Sequence, residues 1–218
     1  MYQSQRPQFG APAVSTASLL GQVLGITGAG FLVTAVTSYL TQGFPRGASL
    51  IAILVGFGFL IGISATRRNP GVSMLMFYAF TACEGIGIGP TLAQYARIDG
   101  SAVVVDAAAT TGLGMLTLGA VVSITSFDYR KLSGIAFGAL IALVIVGLIS
   151  AFTHFLHPGV YSWLTLAVFS LLVLVDFARI KGGGGGATAI ELATSIYLDA
   201  INIFLALLQI FGGRSRDD

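Results

Sequence analysis

Seven apolar stretches separated by connectors of a few residues leave this chain little choice of fold. They run approximately over 18–40, 48–66, 72–94, 101–124, 132–153, 159–180 and 189–211. Each is close to the roughly 20 residues a helix needs to cross about 30 Å of hydrocarbon. Segments of that length satisfy their backbone polar groups in lipid only as helices or in closed barrels. The charge content agrees, since 9% of the residues are charged against about 25% in an ordinary soluble domain. The expectation is an all-α polytopic membrane protein, a bundle of seven transmembrane helices forming one domain over 18–213. Residues 1–17 are polar and Pro-containing, with no apolar core and small-residue cleavage site after them, and read as a disordered tail. Residues 214–218 read as a short C-terminal tail.

The connectors "TQGFPRG", "RRNPG", "ARIDG", "FDYRK", "HFLHPG" and "KGGGGGATA" hold no inserted domain. With seven spans the termini fall on opposite sides. Arg6, Arg67, Arg68, Arg130, Lys131, Arg179 and Lys181 lie on the N-terminal side, and Arg46, Arg97, Arg214 and Arg216 on the other. That asymmetry favours a cytoplasmic N-terminus and an outward C-terminus, in a multi-pass protein of the cell membrane. The 11 basic residues form no tract or stripe, so no nucleic-acid partner is expected. Cys83 is the single cysteine, which excludes an intramolecular disulfide and a cysteine metal cluster. Its role is packing. No cofactor and no tightly bound metal are expected.

Glycines recur at small-xxx-small spacing in the pairs Gly21/Gly25, Gly58/Gly62, Gly85/Gly89 and Gly134/Gly138, a pattern that lets helix backbones approach closely in lipid. The run "GGGGG" at 182–186 reads as a flexible connector. It lacks the strand and the Lys-Ser/Thr of a phosphate-binding loop.

Four acids lie inside the spans: Glu84, Asp106, Asp176 and Asp199. A carboxylate at the middle of a membrane helix costs on the order of 3 kcal/mol by insertion scales, which makes each a functional candidate. On the seventh span Ser195, Asp199, Asn202, Ala206 and Gln209 share one helical face, a small and polar seam that should face the bundle or a water-filled cavity. A buried hydrogen-bond network without transport is the plainer account of that seam. Asp176 lies about one turn inside the end of the sixth span. If the seventh helix begins near Glu191, Asp176 and Asp199 are level; if it begins at 188, they are offset by several ångströms. Two carboxyls in hydrogen-bond reach cannot both hold a charge, so they share a proton and form a proton-sensitive latch. The plainer account of Asp176 is an ion pair with Arg179 at i+3. Glu84 stands in "FTACEGIGIGP", where Pro90 frees the carbonyl of Ile86 and three glycines loosen the same turns. The site reads either as a way-station for a hard cation, which takes several oxygen ligands, or as a kink with a packed, protonated Glu. Asp106, about five residues into the fourth span, reads as an interfacial residue and is the weakest candidate for an ion pathway. His154 and His157 read as interfacial loop residues.

These residues resemble a known family. "LVDFARI" on the sixth span and "SIYLDAINIFLALLQIFG" on the seventh resemble the paired signatures of the transmembrane Bax-inhibitor-motif family, and "FTACEGIGIGP" with the following "QYA" resembles its third-helix motif. The similarity runs from about residue 18 to 213. It implies a seven-helix fold with the last helix central among the other six. For bacterial members it implies a pH-sensitive calcium leak, with Asp176 and Asp199 as the sensor and gate. An arginine near the end of the second helix, matching Arg67 or Arg68, would act as a latch on Asp176 in the closed pore. Some relatives carry an acid within the second helix, whereas "LIAILVGFGFLIGIS" has none, and Glu84 is the substitute. With Asp106 and Asn202, Glu84 makes up the candidate ion pathway. The family also includes cell-death suppressors and proteins associated with membrane proteases.

The leading expectation is therefore a passive, proton-gated cation leak whose partners are the lipid bilayer, Ca²⁺ and protons. The alternative is a non-conducting regulator bound to a membrane protease or another channel. An enzyme is not expected. An intramembrane aspartyl protease needs a G-x-G-D-type second aspartate, and Ile196, Tyr197 and Leu198 precede Asp199. A retinal pump is set aside because Lys131 and Lys181 both lie in connectors.

Overall fold

The computed structural model describes residues 16–125 and 128–214. Among them the chain forms seven α-helices: α1 (Thr16–Leu40), α2 (Arg46–Ala65), α3 (Pro70–Ile98), α4 (Ser101–Ile124), α5 (Tyr129–Thr153), α6 (Pro158–Lys181) and α7 (Ala189–Arg214), with a 3-10 turn at Gly184–Gly186. All seven are long and apolar enough to cross a membrane. Each lies within a few residues of its expected span. The reading of 1–17 as a disordered tail falls outside the described residues apart from Thr16 and Ala17, which already belong to α1. The C-terminal tail beyond Arg214 falls outside them as well.

The last helix is the centre of the bundle. It packs against α1, α2, α3, α4 and α6, while α5 packs mainly on α6. Of its most apolar stretch 61% is buried, against 11% for α5. Ile196, Tyr197, Asp199, Ala200 and Ile201 are buried within six consecutive residues, so α7 meets protein on most of its sides, its polar seam included. Its start is fixed locally. Thr188 and Glu191 form a reciprocal cap: the Thr188 amide donates to Glu191 Oε2 at 2.8 Å, and the Glu191 amide donates to Thr188 Oγ1 at 3.2 Å. This is the Thr-x-x-Glu capping box, which satisfies two orphan amides of the first turn. Thr188→Ala is expected to cost about 1 kcal/mol, read as a lower thermal-unfolding midpoint in detergent.

The glycine run before that cap is an ordered turn, which corrects the expectation of a flexible connector. Gly183, Gly184, Gly185 and Gly186 all have φ between 58° and 86°, the left-handed region that side chains with a Cβ avoid. The turn is also clasped. Arg179 Nε donates to the Gly184 carbonyl at 3.1 Å, and an Arg67 guanidinium nitrogen donates to the Gly186 carbonyl at 3.2 Å. Next to it Lys181 Nζ donates to the carbonyls of Val122, Ser123 and Thr125 at 2.9, 3.0 and 2.9 Å, closing the C-terminal end of α4. Four of the five glycines are there because the backbone turns left-handed.

Of the four glycine pairs, one marks a tight crossing. A Cβ on Gly85 would lie 2.6 Å from the Thr34 carbonyl oxygen, and one on Gly89 would lie 2.7 Å from the Ser38 carbonyl oxygen. Here α3 lies directly on the backbone of α1. By contrast Gly21, Gly25, Gly58, Gly134 and Gly138 have nothing within reach of a Cβ, and Gly62 meets only Met76. The expected loosening of α3 around "GIGIGP" is also corrected. The helix runs unbroken through Pro90, Gly87 packs on Ile53 of α2, and the carbonyl of Ile86 accepts from the Ser49 hydroxyl at 3.5 Å. Glycine here supplies closeness rather than mobility.

Candidate functional site

The α6–α7 seam can be read from two contacts. Near one end Ser195 of α7 lies beside the Asp176 carboxyl of α6. Near the other the Ser162 hydroxyl of α6 donates to Gln209 Oε1 of α7 at 2.6 Å. The two contacts are fourteen residues apart on each helix, so the antiparallel register holds for the whole seam. Asp176 is thus level with Ser195, and Asp199 is level with Leu172, one turn or about 6 Å further from the α6–α7 corner. Because α7 begins at Ala189, the offset arrangement is the one realised.

Both carboxyls are nevertheless buried together. Asp176 is 6% exposed and Asp199 5%, and the charge of Asp176 acts on Asp199. Each has its Oδ2 buried with no hydrogen-bond partner among the described residues. An unpartnered carboxylate oxygen in this surrounding is costly, because a buried ion needs a partner or must become neutral. A proton carried by one acid converts one of those acceptors into a donor. Arg179 lies close enough for its charge to act on Asp176, but its Nε is directed to the Gly184 carbonyl. The expected local ion pair at i+3 is absent among the described ion pairs within 4.0 Å.

The arginines stand one level higher. Arg67 Nε lies 3.8 Å from Glu191 Oε1, with the two side chains 54% and 20% exposed. In this conformation the arginine implied as a latch on Asp176 holds Glu191 and the Gly186 carbonyl instead. Arg68 is exposed. Glu191 therefore joins the site as a residue the sequence reading used only as a boundary marker. Its signal was the Thr188-x-x-Glu191 spacing. Because the Arg67–Glu191 pair is exposed, Arg67→Ala is expected to cost less than about 1 kcal/mol in the same unfolding measurement.

Further along the seam Asn202 Nδ2 donates to the Leu198 carbonyl of its own helix at 2.7 Å. Beyond it an apolar cluster of Val103, Ala107, Val173, Ile203, Leu207 and Leu208 joins α4, α6 and α7. Gln209 then lines an open cavity of about 640 Å³, together with His154, His157, Tyr161 and Ser150. The histidines have structural duties there. His157 caps α6, its Nδ1 accepting from the Gly159 amide at 3.2 Å, and His154 ends α5 with φ of 53°.

Two of the other acids lie elsewhere. Asp106 is exposed on α4, apart from the buried face formed by Val103, Ala107 and Thr111. Glu84 lies across α7 from the aspartates, near Tyr197. Tyr197 is fully buried among Phe31, Phe77 and Phe80, at ring-centroid distances of 5.0, 5.8 and 5.7 Å. Its hydroxyl lies 2.6 Å from Thr34 Oγ1. Thr34 has one hydroxyl hydrogen, and with the Thr81 carbonyl accepting it at 2.9 Å, Tyr197 is the donor. The sequence reading did not single out this knot of α1, α3 and α7.

Six apolar helices packed around a central seventh, with two aspartates buried on α6 and α7, define a polytopic helical membrane protein. A family model described as "Inhibitor of apoptosis-promoting Bax1" matches residues 16–216, and the chain belongs to that family. Similar proteins include an uncharacterized protein of Pseudomonas aeruginosa, 30% identical over 94% of this chain and 90% of its own. An uncharacterized membrane protein of Vibrio cholerae is 28% identical over 84% of this chain and 83% of its own. One of Streptococcus pyogenes is 27% identical over 88% and 90%.

Proposed function

We propose that this protein is a pH-sensitive cation leak, conducting Ca²⁺, in which Asp176 and Asp199 form the gate. The observation that carries the reading is the pair of buried, unpartnered Oδ2 atoms one turn apart on α6 and the central α7. Two such acids hold zero, one or two charges according to pH, and each change alters the field between two helices that the seam otherwise holds by Ser195 and Gln209. With one proton on the pair, a single charge is left between the helices and the acids do not repel. With none they repel in a medium that screens little, and water is drawn between the helices. The apolar cluster of α4, α6 and α7 is the barrier such a movement has to part, and the cavity at Gln209 is the far mouth. Carboxylate and amide oxygens along the seam suit a hard cation. The seven-to-four distribution of basic residues favours a cytoplasmic N-terminus and, with it, a cytoplasmic α6–α7 corner. On this reading the acids bind protons and catalyse no reaction.

The test is reconstitution in liposomes with Ca²⁺, Na⁺ and H⁺ flux followed across a pH series. A pH-dependent Ca²⁺ flux above that of empty vesicles is the expected result; no flux at any pH would remove the reading. A second reading, a non-conducting regulator of a membrane protease or another channel, is favoured by α5. That helix packs mainly on α6 and exposes Ile135, Phe137, Ile141 and Ile145 to the lipid side. Copurification of a stable membrane partner together with zero flux would choose it.

A further inference from the structure

We propose that Glu84 is a second proton-binding site, separate from the aspartate pair and open to the lipid beside the α2–α3 contact. Glu84 is fourteen residues into the 29-residue α3, about 21 Å along a helix of about 43 Å. That places it near mid-membrane. It is partly exposed there, beside the buried Gly56 of α2, whose missing side chain lets the two helices pack closely. A Cβ at Gly56 would stand 3.3 Å from Cys83 Cβ and 3.9 Å from Glu84 Oε1. A partly exposed side chain at that depth meets hydrocarbon.

Nothing around it supplies a counter-charge. Helix α1 contains no charged residue, and the one charge of α2 is Arg46 in its first turn, ten residues before Gly56. On α7 the titratable group near Glu84 is Tyr197, whose hydroxyl hydrogen goes to Thr34. On α3 it is Cys83. No hydrogen bond or ion pair of Glu84 is recorded among the described residues. The freed carbonyl of Ile86 does not help to build a cation site either, since Ser49 takes it. A carboxyl in hydrocarbon without cation, donor or metal is carried as the neutral acid. The ligand of the site is accordingly a proton. The aspartates differ in every respect: they are closed off from lipid, paired, and on the opposite side of α7.

A protonated acid open to lipid reacts with a hydrophobic carbodiimide. The carboxyl proton passes to one nitrogen of the reagent and the carboxyl oxygen adds to its central carbon; an acyl shift to nitrogen then leaves a stable acylurea carrying the whole reagent, with no leaving group and no change of oxidation state. The intact protein in liposomes is treated with dicyclohexylcarbodiimide or with a water-soluble carbodiimide, and labelled peptides are identified by mass spectrometry. Asp106, exposed near the end of α4, serves as the internal reference for the water-soluble reagent. The expected result is acylurea on Glu84 from the hydrophobic reagent alone, lost in Glu84→Gln and retained in the Asp176→Asn/Asp199→Asn double variant. Absence of label on Glu84 in the wild-type protein, or equal labelling by both reagents, would overturn the proposal. The wild-type readout does not depend on any variant folding, nor on whether the protein conducts ions.

Discussion

Replacing both Asp176 and Asp199 by asparagine is expected to give a folded protein whose cation flux no longer follows pH. Asparagine has the shape of the acid, and its amide both donates and accepts, so the two unpartnered oxygens of the wild-type pair acquire donors beside them. The bundle keeps its packing, while the charge between α6 and α7 is fixed at zero throughout the pH series. The single variants separate the contributions. Asp199→Asn leaves Asp176 beside Ser195 with one titrating proton, so the slope of log flux against pH should fall to at most that of one proton. Asp176→Asn removes the acid nearer the corner and leaves Ser195 facing an amide, with the same ceiling on the slope. In the double variant the slope should be zero. A double variant that still follows pH as the wild type does would place the sensor elsewhere, and Glu84 and Glu191 would be the next groups to replace.

The bilayer makes a fold of this kind legible, because its thickness sets the length of each helix and its dielectric sets the composition. Both constraints are written directly into the apolar stretches, which is why the seven helices lie within a few residues of their expected spans. The burial of Asp176 and Asp199 was legible for the same reason, since an acid in such a stretch has to be turned inward. Their relative depth was not read, although the letters were present. Thr188-Ala-Ile-Glu191 is a capping box that starts α7 at Ala189 and sets Asp199 a turn beyond Asp176. The glycine run shows a different limit. Five consecutive glycines are compatible with a loose tether and with a left-handed turn alike; the turn is clasped by Arg179 in the last turn of α6 and by Arg67, 119 residues before Gly186. Tyr197 was hidden because an aromatic residue in an apolar helix looks like any other, and its partner Thr34 is 163 residues away.

The second large effect expected is at the α1–α3 crossing. Small-xxx-small spacing states that a backbone is able to come close, without saying that another backbone is there. The four pairs in this chain therefore form a controlled comparison at constant chemistry. Gly85→Ala puts a methyl group against Thr37 Oγ1 and within 2.6 Å of the Thr34 carbonyl oxygen; Gly89→Ala puts one 2.6 Å from Thr41 Oγ1 and 2.7 Å from the Ser38 carbonyl oxygen. A hydroxyl can rotate away, but a helix carbonyl moves only with its helix, so α1 and α3 are forced apart. Overpacking of this kind costs about 1–3 kcal/mol per site. Here it also strains the bond between Thr34 and Tyr197, which depends on α1 holding its place against the central helix. Gly134→Ala and Gly138→Ala, on α5 with open space around both positions, should leave stability unchanged or raise it by up to about 1 kcal/mol through the better helix propensity of alanine. Thermal unfolding of the four variants in one detergent decides the matter. Equal midpoints for Gly85→Ala and Gly134→Ala would mean that the α1–α3 contact is looser than the geometry requires, and that Tyr197 is held by its aromatic neighbours alone.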